Sequence, residues 1–251
     1  MEQEIKQIDR GWLEGAAKTI TFIVTKDCQL ACKYCYLVGK NENERMSIET
    51  AKAAVDYILD TRDFFNEESV IWEFIGGEPF LEIDLIDNIC DYIKTQMFVK
   101  NHHWFNSYRF NFATNGINYN SSKVQNFIKK NWTHLSIGIT IDGTKIKHDL
   151  NRVYKNSEKG SYDDVVLNIP LWLNQFPTSG TKVTISSPDI PYMKPQLLLP
   201  QTSTSVIVFR TPPDQIPYAA RSDSVRRPIG FRPPSATLLM LLHQSATTYT
   251  P

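Results

Sequence analysis

Three cysteines, Cys28, Cys32 and Cys35, fall within eight positions in the run Cys28-Gln29-Leu30-Ala31-Cys32-Lys33-Tyr34-Cys35. Three thiolates in a single loop can converge on one soft metal centre, and iron–sulfur clusters are held by cysteine thiolates, ordinarily four of them. This loop supplies three. A cubane with three protein ligands leaves one iron open, and an open position separates a chemical site from a structural one. The same residues also allow a zinc site completed by one of the five histidines. A second constellation is Gly76-Gly77-Glu78-Pro79. Its glycines let the backbone approach a ligand closely and Glu78 offers an acceptor to an ammonium group, although Gly-Gly before Pro is also an ordinary turn.

These loops need elements to position them. Thr19 to Thr25 is β-branched and aromatic and predicts a buried strand running into the cysteine loop. Met46 to Phe65 follows with Ser47 as N-cap and an apolar stripe of Ile48, Ala51, Val55, Ile58 and Leu59, the pattern of a helix on a sheet. Val70 to Ile75 reads as a strand that ends at Gly76-Gly77, and Leu81 to Met97 as a helix. Further strands are expected at Tyr108 to Ala113, Leu135 to Ile141 and Thr181 to Ser186. Helices are expected near Ser122 to Lys130, Lys145 to Arg152 and Tyr162 to Trp172. Strand, loop and helix repeated in this way predict an α/β fold with a parallel sheet, and such sheets carry their sites at the carboxyl ends of the strands.

Composition is globular, with 41% hydrophobic and 22% charged residues, and Lys plus Arg balances Asp plus Glu at 27 each. No basic excess marks a nucleic-acid binder and no apolar run is long enough to span a bilayer. Without a signal-like start and with too few cysteines for a disulfide scaffold, a reducing, cytoplasmic address is expected. The neutral balance conceals two unlike parts: from Lys194 onward there are six basic residues, two acidic ones and nine of the 14 prolines.

The C-x3-C-x2-C spacing, with an aromatic before the last cysteine, resembles the radical S-adenosylmethionine (SAM) superfamily. That resemblance implies a [4Fe-4S] cluster on Cys28, Cys32 and Cys35, with SAM on the open iron and a 5′-deoxyadenosyl radical as the reactive species. It implies that Gly76, Gly77, Glu78 and Pro79 bind the methionine amino group of SAM. It places Thr140 of Thr140-Ile141-Asp142-Gly143 at the ribose, Arg152 at the SAM carboxylate and Tyr34 at the adenine. Asn115, in Thr114-Asn115-Gly116, matches a common family feature. The motif set is similar to the branch that matures sulfatases and ribosomally made peptides, and looks closest to peptide maturases of the CXXX-repeat target type. A peptide or protein substrate and an electron donor such as flavodoxin or ferredoxin follow from that likeness. A non-catalytic iron–sulfur or zinc fragment, or an enzyme acting on a small metabolite, are the rival readings.

The expected architecture is thus a lead-in over 1–18, an incomplete (β/α)6 barrel with about five parallel strands over 19–193, and an irregular Pro-rich tail over 194–251. No cysteine follows Cys90, no Glu follows Glu158 and no Lys follows Lys194. A reading-frame change near Met193 would produce such a break, and the locus sequence tests it. Cys90 shares a helical face with Ile86, Ile93 and Met97 and reads as a buried thiol. His102, His103 and His134 read as structural or solvated, and His148 as packing behind the site.

Overall fold

In the computed structural model, which describes residues 17–37 and 44–185 and the strand backbones at 206–209 and 238–240, the first β-branched run forms β1 (Ala17–Thr25). The expected junction near Met193, most of the lead-in and most of the tail lie outside the described residues. β2 (Ser69–Gly76), β3 (Tyr108–Thr114) and β4 (Leu135–Ile139) follow, each parallel to the strand before it, in the spatial order β4-β3-β2-β1. Adding every strand on the same side winds a sheet toward a barrel, whereas a doubly wound sheet reverses its order.

The fifth strand departs from expectation. β5 (Lys182–Ile185) is joined to the strand before it by a single parallel bridge, Thr140 to Lys182, and ladders instead with β6 (Val206–Phe209). Regular pairing of β4 stops at Ile139, and the chain turns away at Asp142-Gly143, where Gly143 has φ 76°. The tail expected to be irregular holds β6 and a further short strand, β7 (Leu238–Met240), which pairs in parallel with Ile20, Thr21 and Phe22 of β1.

The helices explain which face of the sheet is covered. α1 (Ile48–Asp60) starts where Ser47 Oγ accepts the Thr50 N–H (3.1 Å) and buries Ala51, Val55, Ile58 and Leu59. α2 (Ile83–Val99) buries Ile86, Ile89, Cys90, Ile93 and Met97, and α3 (Ser122–Asn131) buries Val124, Phe127 and Ile128. Against them lie Phe22, Trp72, Phe74 and Phe112, with ring centroids 5.6 Å apart for Phe22–Phe74 and 5.3 Å for Phe74–Phe112. The opposite face carries a polar row: Glu73 accepts from Thr21 Oγ1 and Asn111 Nδ2, both at 3.0 Å, across three strands in register.

After α4 (Lys145–Asn151), the helix expected over Tyr162 to Trp172 is two: α5 (Tyr162–Val166) and α6 (Ile169–Gln175). Pro170 cannot donate a backbone N–H, and Asn168 Nδ2 bonds the Gly116 carbonyl (2.8 Å) at the break. Among the described residues no helix is long and apolar enough to cross a membrane.

Candidate metal centre

β1 ends in an irregular register between Ile23 and Thr25, and the chain then enters the cysteine loop. The Asp27 carboxylate accepts the Cys28 N–H (2.9 Å) and pairs with Lys155 (2.7 Å), which holds its carboxyl below the usual carboxylate range. The Cys35 N–H donates to the Cys32 carbonyl (3.1 Å), closing a turn through Lys33-Tyr34 that brings Cys32 and Cys35 to one side. A strap from the end of α4 runs antiparallel to this loop. Ala31 N–H bonds the Val153 carbonyl (2.8 Å), Lys33 N–H that of Asn151 (3.0 Å), and Lys155 N–H that of Gln29 (2.9 Å). Sequence reading placed Arg152 near the site but missed that its neighbours brace the loop.

None of the four cysteines forms a disulfide; Cys28 and Cys90 are buried, while Cys32 and Cys35 are partly exposed. Cys90 lies in the core of α2, as its spacing predicted, and burial raises its thiol pKa well above the ordinary range. The surroundings of the cysteine loop fit an anionic iron–sulfur group. Cys28 Sγ accepts from the Leu30 N–H (3.4 Å) and Asn115 Nδ2 (3.9 Å), and the Arg152 guanidinium is held against the loop by its bond to the Tyr34 hydroxyl. Among the described residues no three His, Cys, Asp or Glu side chains stand at the spacing of one metal ion.

The Gly-Gly-Glu-Pro loop closes directly on the start of the cysteine loop. Gly77 N–H donates to the Thr25 carbonyl and Glu78 N–H to the Asp27 carbonyl, both at 2.9 Å. A Cβ on Gly77 would stand 2.0 Å from the Asp27 carbonyl oxygen, so only glycine permits this approach. Pro79 opens a short 3₁₀ turn capped by Glu78. The Glu78 carboxylate, read from sequence as an acceptor for an ammonium group, is turned inward. It accepts from Thr114 Oγ1 (2.6 Å), the Asn115 N–H (2.7 Å) and the Phe80 N–H (3.1 Å), and so ties the end of β2 to the end of β3. Burial pushes its carboxyl up against the lowering effect of those donors.

Arg152 and Tyr34 come together. Arg152 Nη1 donates to the Tyr34 hydroxyl (2.8 Å), which donates in turn to Asp142. Arg152 Nε is buried and has no hydrogen-bond partner among the described residues. Asn115 Nδ2 reaches Gln29 Oε1 (3.1 Å) as well as Cys28, and Thr140 sits on the bridge between the β4 end and β5. Asp142 and Gln29 were not singled out from sequence. The polar residue before Gly143, at the end of a predicted strand, was the available signal for Asp142.

His148 packs behind Asp142. Its Nδ1 accepts the Asp142 N–H (3.3 Å), and because the Ser161 hydroxyl donates to the Arg152 carbonyl (2.9 Å), His148 Nε2 is the donor in the 3.0 Å contact with Ser161. Burial, helped by Arg152, lowers the His148 pKa to about 4, and burial with neighbouring His103 does the same for His102, also to about 4. Both histidines are neutral when folded and protonate near pH 6.5 when unfolded, so protons bind the unfolded chain more tightly. The urea midpoint is therefore expected to hold from pH 8 to 7 and fall from about pH 6.5 toward 4, with a smaller fall in His148→Gln. Equal acid sensitivity in that variant contradicts the assignment to His148.

A cleft of about 270 Å³ opens beside Cys28, lined by Asp27, Gln29, Leu81, Tyr154, Lys155 and Asn156. A larger one, about 430 Å³, lies against α3 and α6 next to Trp132, and no residue of the cysteine or Gly-Gly-Glu-Pro loops lines it. Residues 13–166 match the family model described as a 4Fe-4S single cluster domain. The chain is 32% identical over 185 residues to an uncharacterized protein of Methanocaldococcus jannaschii, covering 70% of this chain and 56% of that one. It is 29% identical over 164 residues to a cysteine-type anaerobic sulfatase-maturating enzyme of Clostridium novyi, covering 64% and 41%. Among solved structures, an anaerobic sulfatase-maturating enzyme with bound AdoMet superposes with a TM-score of 0.60 at 18% identity, over 72% of this chain and 47% of that one. The chain thus spans about half the length of these relatives.

Proposed function

The chain belongs to the 4Fe-4S single cluster domain family, of the radical SAM type, and from that premise we propose that it is the catalytic core of an enzyme that abstracts hydrogen from a peptide or protein substrate. The observation that supports this most directly is the braced loop of three thiols, with two N–H donors on the Cys28 sulfur and the Arg152 guanidinium held against the loop at Tyr34.

Cys28, Cys32 and Cys35 hold the cluster, and the strap at 151–155 fixes the loop that carries them. When bound and reduced, the cluster supplies the electron that cleaves a carbon–sulfur bond of SAM and releases a 5′-deoxyadenosyl radical. Gly76 and Gly77 bring backbone close to the loop, and carbonyl oxygens of the Gly-Gly-Glu-Pro segment are acceptors suited to the SAM ammonium. Glu78 acts as a brace beneath that segment. Arg152 Nε, buried and unpartnered among the described residues, is a donor suited to the SAM carboxylate. In this reading Thr140 meets the ribose and Tyr34, by its ring or the neighbouring backbone, the adenine, and Asn115 donates to the Cys28 sulfur. A flavodoxin- or ferredoxin-type donor supplies the electron, and a reducing cytoplasm is the compartment that goes with this reading.

Two measurements test this. Anaerobic reconstitution gives about four irons and four sulfides per chain; a colourless chain holding one zinc overturns the cluster. With a deuterated candidate peptide, label passes into 5′-deoxyadenosine; label transferred only from a small metabolite overturns the peptide reading.

A further inference from the structure

We infer that Asp142 is a positioning residue for the cysteine loop: through the Tyr34 hydroxyl it holds the turn between Cys32 and Cys35 and the Arg152 side chain beside it. The inference rests on the cluster reading above and concerns how this chain keeps its ligands in place.

Asp142 is fully buried just beyond β4, and its two oxygens face donors from different elements. Oδ1 accepts the Thr184 N–H of β5 (3.1 Å), and Oδ2 accepts the Tyr34 hydroxyl. Its own N–H donates to His148 Nδ1 on α4 (3.3 Å). One residue therefore ties β5, α4 and the cysteine loop together. On the other side of the phenol, Arg152 is 6% exposed and donates Nη1 to the same hydroxyl at 2.8 Å.

A carboxylate and a guanidinium that share one hydroxyl form an ion pair spaced by a phenol, with both charges removed from water. Such a pair is held by complete hydrogen bonding, and removing the central atom leaves each charge short of a partner. A phenol suits the position because it accepts from one side and donates to the other at the end of a rigid ring. Tyr34 lies one residue before Cys35 and two after Cys32, so fixing its hydroxyl fixes the turn that presents both sulfurs.

The test uses Tyr34→Phe and Asp142→Asn, singly and together. Phenylalanine keeps the ring and removes both hydrogen bonds. Asparagine keeps an oxygen for the Thr184 N–H but sets an amino group against the Tyr34 hydroxyl, which then meets donors from both sides and has no acceptor for its own proton. Three quantities are read: iron retained after anaerobic reconstitution and desalting, the EPR spectrum of the reduced cluster, and the alkylation rate of each cysteine in the metal-free chain by mass spectrometry.

Each single variant is expected to retain several-fold less iron with a changed EPR line shape. The double variant should be no worse than the poorer single, because both act through one path. In the metal-free chain, Cys35 alkylates several-fold faster in both variants while core Cys90 stays protected, which separates a loosened loop from an unfolded chain. Iron content, spectrum and Cys35 alkylation at wild-type level in Tyr34→Phe overturn the inference, as do additive losses or an equal rise at Cys90. A wild-type chain that takes up no iron overturns the cluster reading instead, and Cys35 alkylation in the metal-free variants then decides the tie to Asp142.

Discussion

Cys32→Ala leaves the anaerobically reconstituted chain without its iron–sulfur chromophore, whereas Cys90→Ala keeps it. The two thiols differ in surroundings rather than chemistry. Cys32 lies in a loop held at Ala31 and Lys33 by the strap at 151–155, with the Arg152 guanidinium bonded to Tyr34 in the same loop. Cys90 is enclosed by α2 and the sheet among Ile86, Ile93 and Met97, where burial holds the thiol protonated and unable to ligate. Even outer partners of metal ligands are worth roughly 10–100-fold in affinity, so loss of a ligand is expected to cost at least that in retained iron. Cys90→Ala is expected to lower stability by about 1 kcal/mol through its small cavity, with iron content unchanged. Iron and sulfide assays on both variants check this. Iron loss in Cys90→Ala without unfolding would make that residue part of the centre.

The second large effect is at Glu78. Glu78→Ala strands three buried donors, the Thr114 hydroxyl and the Asn115 and Phe80 N–H groups, at the point where β2 and β3 meet the cysteine loop. An unsatisfied buried donor costs about 1–3 kcal/mol, so the variant is expected to lose about 3 kcal/mol or more. Urea unfolding measures it. Glu78→Gln should lose less, because its one oxygen still serves a backbone N–H. The comparison separates two roles for the side chain. A brace predicts that stability falls and that SAM affinity falls with it. A carboxylate that directly met the SAM ammonium would instead give Glu78→Gln wild-type stability and weakened SAM binding.

The elements were legible because the apolar pattern was consistent. Val55, Ile58 and Leu59 in α1, and Ile86, Ile93 and Met97 in α2, are buried as their spacing demanded. The cysteine loop and Gly-Gly-Glu-Pro were legible because their residue types have few other uses. What sequence did not reveal is tertiary pairing. The inward turn of Glu78 depends on Thr114 and Asn115, 36 and 37 residues away, and the Tyr34–Asp142 bond spans 108. Of the strap at 151–155 only Asn151 and Arg152 were read, as the end of a helix, because its hydrogen bonds go to another loop. The split of the helix at Asn168 was signalled by Pro170, but the Gly116 carbonyl that receives the Asn168 amide had no local signature. At β5 the expectation of a further ladder overlooked that Gly143 turns the chain away.

In the proposed reading Cys28, Cys32 and Cys35 carry a cluster that acts on SAM. The most direct measurement is 5′-deoxyadenosine formed from SAM by the anaerobically reconstituted, dithionite-reduced chain, beside the variant lacking all three cysteines. 5′-Deoxyadenosine is expected from the wild-type chain and none from the variant. A chain that holds about four irons yet yields no 5′-deoxyadenosine, or a variant that yields as much as the wild type, would contradict that reading.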